Sequence, residues 1–269
     1  MKITFIGGGF MGEAILNGAL SRNAVSNHAF TVVEIDPSRR DYLHNKYHVE
    51  VVDGSQTESK VSEADVVILC MKPQQFPETI QLVKPAIRSE ALLLSVAAGI
   101  PLNRIIDESE HEQAARIMPN LPAARGQGAA AIFFGNNFPI DGKLLVTELI
   151  RSSSPVVAEV HSDDEIDICT ALNGSGPAYI FLIIEALVQA AVSRNIDEDL
   201  AHQLVIQTVL GAAVHAMESQ TSVEQLRDNV TSPGGTTEAA ITTLEAGNLR
   251  KVIDSAVQAA YDRAVELRD

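Results

Sequence analysis

Basic residues are scarce in this chain, and scarcer still in its second half. Lysine and arginine number 20 against 35 acidic residues, a formal charge of −15. Beyond residue 160 the count is 17 acidic to 6 basic, so most of the negative charge lies there. Such a surface repels nucleic acid and anionic lipid, and neither is expected as a partner. Cysteine is nearly absent: Cys70 and Cys169 sit in apolar runs with no pairing pattern. Reduced, buried thiols in a cytoplasmic protein are expected, not disulfides. No signal-like segment precedes the first strand, because "MKITFIGGG" runs from Met1 straight into structure. The most hydrophobic run, "AYIFLIIEALVQAAV" (residues 178–192), is too short for a membrane span and contains Glu185 and Gln189. It reads as a helix buried on nearly all sides, which suggests a subunit interface. Internal repeats and low-complexity linkers are also missing.

The chain is 269 residues long and 46% apolar, enough for one large domain or two modest ones with a real core. Up to about residue 160, β-rich runs alternate with helical ones. "KITFIG", "FTVVEID", "VEVVD", "ADVVILCM", "ALLLSVAA", "AARIMP" and "GAAAIFFG" are strand candidates. Helices are expected over residues 12–21 and 39–46. Strands apolar on both faces and separated by helices imply a doubly wound parallel sheet. From about His161 onward no convincing strand appears. Helical stretches follow at 162–173, 177–195, 197–218, 222–228, 236–245 and 249–267. The expected fold is therefore α/β over residues 1–160, followed by an all-α domain over 161–269.

"FIGGGFMGEAIL" contains G-x-G-x-x-G as Gly7, Gly9 and Gly12, closing a strand and opening a helix. In that context the first glycine makes the tight turn and the second admits a pyrophosphate. The third allows close packing of helix on strand, while the helix N-terminus attracts the phosphates. This is the signature of a Rossmann-type dinucleotide-binding domain. Glu34 and Asp36 end the second strand, 22 and 24 residues after Gly12. An acid there accepts hydrogen bonds from the adenosine ribose and favours NAD. "PSRR" follows at once, and Arg39 or Arg40 could instead pair with a 2′-phosphate, so NADH and NADPH both stay open. Two further strands end in Lys72-Pro73 and in Ala97-Ala98-Gly99, at the carboxyl edge where ligands bind in such sheets.

Hydride transfer usually needs a proton donor, often His or Lys. The seven histidines (His28, His44, His48, His111, His161, His202 and His215) lie outside every Gly- or Pro-marked stretch. Between Lys143 and Lys251 there is no lysine. That argues against the 3-hydroxyacid dehydrogenase group, which resembles this architecture but relies on a lysine in its helical domain. The helical half offers "NGSGPAY" (173–179) and "NVTSPGGTT" (229–237) instead. The glycines of the first suit a helix kink with close helix approach. The second places Ser232 and Thr237 hydroxyls beside the N–H groups that open the next helix, a combination that binds a carboxylate without a cation. On spacing alone it reads more readily as an interhelical joint.

Together these motifs resemble the pyrroline-5-carboxylate reductase family. The similarity runs through "FIGGGFMGEAI", "MKPQQF", "SVAAGI", "RIMPNLPA", "LNGSGPAYIFLIIEAL" and, most specifically, "LRDNVTSPGGTTEAAITTLE" (226–245). The resemblance implies reduction of 1-pyrroline-5-carboxylate to L-proline by NADPH or NADH, the last step of proline synthesis. It implies a homodimer formed by the helical domain, with larger rings of dimers known in the family. Cofactor contacts are expected at Gly7, Gly8, Gly9, Phe10, Met11, Gly12, Glu34, Asp36, Met71, Lys72, Pro73, Ala97, Ala98, Gly99 and Asn229. Ser232, Thr236 and Thr237 should hold the substrate carboxylate, with the Thr237 hydroxyl near the ring nitrogen. Asn229 and Val230 should face nicotinamide and substrate, and Ser232 and Thr237 carry the catalytic expectation. Asp163 stands where the family often has a glutamate near the partner's site, which leaves its role open. No metal is expected. A cyclic imine is far more basic than a ketone, so water or a hydroxyl network can protonate it, and catalysis can rest largely on positioning. Two alternatives remain: an oxidoreductase acting on another imine or a 2-hydroxy acid, and a non-catalytic NAD(P)-binding regulator.

Overall fold

Alternate residues of the central strands face two separate apolar clusters. Ile3, Phe5, Ile68 and Leu94 pack on one side of the sheet with Ile15 and Leu16, while Val67, Leu69 and Leu93 pack on the other with Phe76 and Ile80. The two-residue period of a strand sends successive side chains to opposite faces, so a run apolar at every position demands cover on both. The computed structural model describes residues 1–21 and 29–268, and His28 lies outside them. The described chain forms two compact units, Met1–Ser175 with Ala260–Asp269, and Gly176–Ala259.

The first unit contains a mixed sheet of β1 (Lys2–Ile6), β2 (Ala29–Val33), β3 (Glu50–Val52), β4 (Val66–Leu69), β5 (Leu92–Ser95), β6 (Ala114–Met118), β7 (Ala129–Phe134) and β8 (Val156–Val160). Their order is β3-β2-β1-β4-β5-β6-β7-β8. Helices α1 (Phe10–Ser21), α2 (Pro37–Tyr47), α3 (Thr57–Ser62), α4 (Phe76–Val83), α5 (Leu102–Ser109) and α6 (Ile140–Arg151) belong to it, as does α7 (Asp163–Cys169). The chain crosses from the β3 edge back past β1 to lay down β4. This reversal of strand order puts a crevice at the carboxyl ends of β1 and β4.

Two features of the sheet depart from the sequence reading. The sheet is not wholly parallel: β7 runs antiparallel to β6, pairing Arg116 with Phe133 and Met118 with Ala131. The connection from Met118 to Ala129 holds only a 3₁₀ segment, Leu121–Arg125. It carries no α-helical crossover of the kind that usually returns a chain to a parallel neighbour. The second feature is β8, an edge strand parallel to β7 that the sequence reading does not include. Val156 on it is exposed and Glu159 pairs with Lys143 at 2.6 Å, the charged dressing that discourages edge pairing.

The second unit holds α8 (Gly176–Val192), α9 (Glu198–Glu218), α10 (Val223–Asn229), α11 (Thr236–Ala246) and the start of α12 (Leu249–Glu266). Helix α8 is not buried on nearly all sides within one chain. Val188 is its one buried residue, whereas Phe181 and Leu182 are 56% and 65% exposed. The same holds for α9, where Leu204, Leu210 and Met217 are exposed. Glu185 accepts from Gln189 one turn on, at 3.1 Å, so the two polar residues of the run satisfy each other. Length does not argue against a membrane span either. The helical stretches Asp163–Val192 and Glu198–Glu218 reach mean hydropathies of 1.6 and 1.3 over spanning length.

The "NGSGP" kink is present as a π-turn over Thr170–Gly174, closed by Ser175 N–H donating to the Thr170 carbonyl at 2.8 Å. Asn173 Nδ2 donates to the Met118 and Ala129 carbonyls, while Asn120 Nδ2 donates to the Asn173 carbonyl. A Cβ on Gly174 would lie 2.6 Å from Met118 Cε, the flexible end of a side chain that would have to move aside. Both cysteines are free, and burial pushes the Cys70 thiol up to about 12 and raises that of Cys169.

Candidate active site

Gly7 leaves β1 with φ +101°, a conformation that L side chains rarely adopt. A Cβ there would also meet the Cys70 carbonyl carbon at 3.0 Å. Gly9 is exposed, and a Cβ on it would meet nothing within 4 Å. The protein's own packing therefore does not require a glycine there. Gly12 is buried in α1, where a Cβ would fall 2.6 Å from the Gly7 carbonyl oxygen. Gly12→Ala must displace the turn itself. It is expected to raise the KM for the dinucleotide at least about 10-fold, the cost of some 1.4 kcal/mol of lost binding, while circular dichroism stays native. An unchanged dinucleotide KM in this variant would remove the turn from the binding site. Phe10 and Met11 begin the helix, with Phe10 52% exposed.

A cleft of about 450 Å³ opens at this edge. Gly7, Gly9, Glu34, Met71 and Lys72 line it, as the sequence leads one to expect. So do Ile35, Gly54, Thr57, Gln75, Thr79 and Leu82, which the sequence reading does not include. One signal for Ile35 was available: an apolar residue between two acids at a strand end, here 68% exposed. Gly8, Phe10, Met11, Gly12, Asp36, Pro73 and Ala97 to Gly99 are not among the lining residues. Gly99 (φ +74°) is buried, and a Cβ on it would meet the Leu267 carbonyl oxygen at 2.8 Å.

The charges at the end of β2 are arranged by hydrogen bonds. Glu34 accepts from Gly8 N–H at 2.8 Å and from Asp36 N–H at 3.0 Å, which fixes its carboxylate at the cleft wall. Asp36 caps α2, accepting from the Ser38 hydroxyl and the Arg39 N–H, and these bonds lower its pKa. Arg40 donates to the Glu34 and Ile35 carbonyls and pairs with Asp53. Arg39 donates through Nε to the Gly8 carbonyl at 2.7 Å and pairs through Nη2 with Glu13. Burial alone would raise the Glu13 pKa. Donors from Tyr47, Lys46, Arg39 and Tyr42 overcome that and bring it to about 2.

In the helical unit, "NVTSPGGTT" forms the turn between α10 and α11. Gly234 has φ +72°, and its N–H donates to Glu238 Oε2 at 2.7 Å. Gly235 N–H donates to the Ser232 carbonyl at 2.9 Å. A Cβ on Gly235 would fall 2.4 Å from the Ser232 hydroxyl oxygen, so the glycine lets that hydroxyl lie against the mouth of the helix. Gly235 caps α11 without a side-chain bond, and Thr236 and Thr237 supply the first two helical N–H groups, which have no acceptor inside the helix. Thr237 is half-buried, while Ser232 and Thr236 are exposed. Asn229 accepts from Gln225 Nε2, and Val230 is 67% exposed.

Asp163 has partners within the first unit. It accepts from Arg116 Nη1 and from Leu102 N–H at the start of α5. Arg116, nearly fully buried on β6, also pairs with Asp167 at 2.8 Å, and Arg268 pairs with Asp167 and Asp164. Among the described residues no cluster of His, Cys, Asp and Glu is arranged to hold a metal ion.

Residues 163–267 match the model for pyrroline-5-carboxylate reductase dimerisation, and residues 2–99 match that for coenzyme F420-dependent NADP oxidoreductases. The pyrroline-5-carboxylate reductase of Pisum sativum is 38% identical over 98% of this chain and 94% of its own. The chain belongs to the pyrroline-5-carboxylate reductase family. That of Pseudomonas aeruginosa is 33% identical over the whole chain and 97% of its own. Among solved structures, the Coxiella burnetii pyrroline-5-carboxylate reductase superposes with a TM-score of 0.92 at 38% identity, covering 99% of this chain and 98% of that one. A Plasmodium falciparum pyrroline carboxylate reductase with NADP bound gives 0.86 at 27% identity, covering 100% and 98%. As a member of the family, the chain is an NAD(P)-dependent oxidoreductase that reduces the imine of 1-pyrroline-5-carboxylate in the last step of proline biosynthesis. The dimerisation match spans α8 and α9, so their exposed apolar faces belong to a self-associating module.

Proposed function

We propose that the cleft at the ends of β1, β2 and β4 holds the adenosine half of the dinucleotide, with NADH the preferred reductant. The observation that carries this reading is the placement of charge at the end of β2. Glu34 offers a carboxylate at the cleft wall, positioned by two backbone donors. It suits the ribose hydroxyls and repels a 2′-phosphate. Arg39 and Arg40, the cations nearest to hand in sequence, are bonded to groups of the protein. Exposed Ile35 and Leu82 give the adenine apolar contact. The open space over Gly9 and the N-terminus of α1 fit a pyrophosphate. Phe10, Met11, Lys72, Pro73 and Ala97 to Gly99 border the remainder of the cofactor, and Asp36 acts through its cap on α2.

The dinucleotide, when bound, supplies the hydride. The chain's own part is to hold the substrate. Ser232, Thr236 and Thr237 grip the carboxylate through hydroxyls and the first N–H groups of α11. The Thr237 hydroxyl stands at the ring nitrogen, and Asn229 and Val230 border substrate and nicotinamide. Residues 1–160 thus serve the dinucleotide, and 161–269 serve substrate and self-association. A homodimer, assembling further into a ring of dimers in the cytoplasm, is the finer reading of the apolar helical faces. Light scattering on the purified protein gives the assembly size directly.

Steady-state assays with NADH and NADPH in parallel test the cofactor reading. An NADH preference of at least about 10-fold in kcat/KM is expected, some 1.4 kcal/mol. Equal or better use of NADPH would overturn it.

A further inference from the structure

Glu13 stands in the first turn of α1, the helix that receives the pyrophosphate, yet its carboxylate is turned to α2. It is 17% exposed and takes four donors: Arg39 Nη2, Lys46 Nζ at 2.9 Å, Tyr42 Oη at 3.0 Å and Tyr47 Oη at 2.7 Å. Arg39 is held from three directions. Its Nη2 meets Glu13, its Nε meets the Gly8 carbonyl, and its guanidinium carbon lies 4.9 Å from the Tyr42 ring centroid.

We propose that Glu13 is a specificity-determining residue, which by holding Arg39 withholds that guanidinium from a 2′-phosphate and so keeps the enzyme on NADH. The inference rests on the reading of the cleft as the adenosine site. Arg39 follows the end of β2 by six residues and touches Gly8, in the glycine turn, which places it beside the proposed ribose site. Glu13 stays ionised at any working pH because its four donors outweigh its burial. A guanidinium bonded to a fixed carboxylate in a half-buried setting gives up that bond at a cost to any competing anion. Glu34 repels the 2′-phosphate directly. Glu13 acts one step removed, by occupying the cation that would otherwise welcome it.

Glu13→Gln keeps the side chain's shape and removes its charge. The expected result is a rise of at least about 10-fold in the ratio of kcat/KM for NADPH to that for NADH, carried by a lower KM for NADPH. Adding Arg39→Gln should abolish the gain. A purely structural clasp between α1 and α2 would weaken both cofactors alike and leave the ratio unchanged, which overturns the inference. Arg39→Gln alone provides a check that does not depend on the fate of Glu13→Gln. Whatever it does to both cofactors through the Gly8 turn, it should leave the NADPH-to-NADH ratio of kcat/KM within about 2-fold of wild type, whereas a 10-fold fall in that ratio means Arg39 already binds the phosphate and overturns the inference too. Failure of the underlying reading shows separately, as an NADPH preference of the wild-type enzyme.

Discussion

Thr237→Ala lowers kcat/KM for 1-pyrroline-5-carboxylate at least about 10-fold, the expected loss for an unmade hydrogen bond of ~1–3 kcal/mol. Thr237 is the second residue of α11 and is half-buried, so its hydroxyl is positioned by helix geometry and not by a mobile loop. The substitution leaves the N–H groups of α11, and with them the anion-attracting end of the helix, in place. The carboxylate should therefore still bind. The loss should fall mainly on kcat if, as proposed, the hydroxyl meets the ring nitrogen, because such a contact gains strength as that atom takes up its proton. Ser232→Ala makes the contrasting case: a loss at the carboxylate end should appear mainly in KM. Thr237→Ser, which retains the hydroxyl, should recover most of the activity. Wild-type kinetics for Thr237→Ala would sink the role assigned to that hydroxyl.

The second large effect concerns stability. Arg116→Met should lower unfolding free energy by about 3 kcal/mol, the low end for breaking a buried ion pair by removing one partner. Arg116 is 3% exposed and Asp167 1%, and the two meet at 2.8 Å. Deleting the guanidinium leaves Arg268 as the remaining cation on Asp167 among the described residues, and it removes the charged donor that Asp163 accepts from beside the N–H of Leu102. The measurement is urea unfolding at one fixed protein concentration, because self-association adds to apparent stability. A midpoint that falls with unchanged slope is the expected outcome. A midpoint equal to wild type would mean that Arg268 suffices to compensate Asp167.

Asp163 belongs to the same cluster: within one unit it accepts from Arg116 and from the N–H at the start of α5. No pattern in the sequence foretells this, because Arg116 lies 47 residues before it. Strands β1, β4 and β5 were legible because their buried positions are apolar on both faces save Thr4 and Ser95. β8 was not, because this edge strand buries no residue and carries a glutamate, so it lacks the buried apolar run of the central strands. The reversal of β7 is a matter of connection geometry, which composition does not encode. The glycine turn and the α10–α11 turn could be read because they use residue types chosen for backbone shape. The wall of the cleft formed by Thr79 and Leu82 could not, since α4 presents these only once the sheet has placed it. Arg39 and Arg40 looked like open options in the sequence. Hydrogen bonds to residues up to 31 positions away show where both are engaged.

The pairing of Arg268 with Asp167 spans 101 positions along the chain. During synthesis the whole sheet and Asp167 emerge before Arg268 has been made. At translation rates of about 5–20 residues per second, Asp167 waits on the order of 5–20 s for its second counter-charge. Over that interval Arg116 is the cation paired with it among the described residues. The nascent α7 thus lacks the Arg268 contacts to Asp164 and Asp167 until residue 268 has been made.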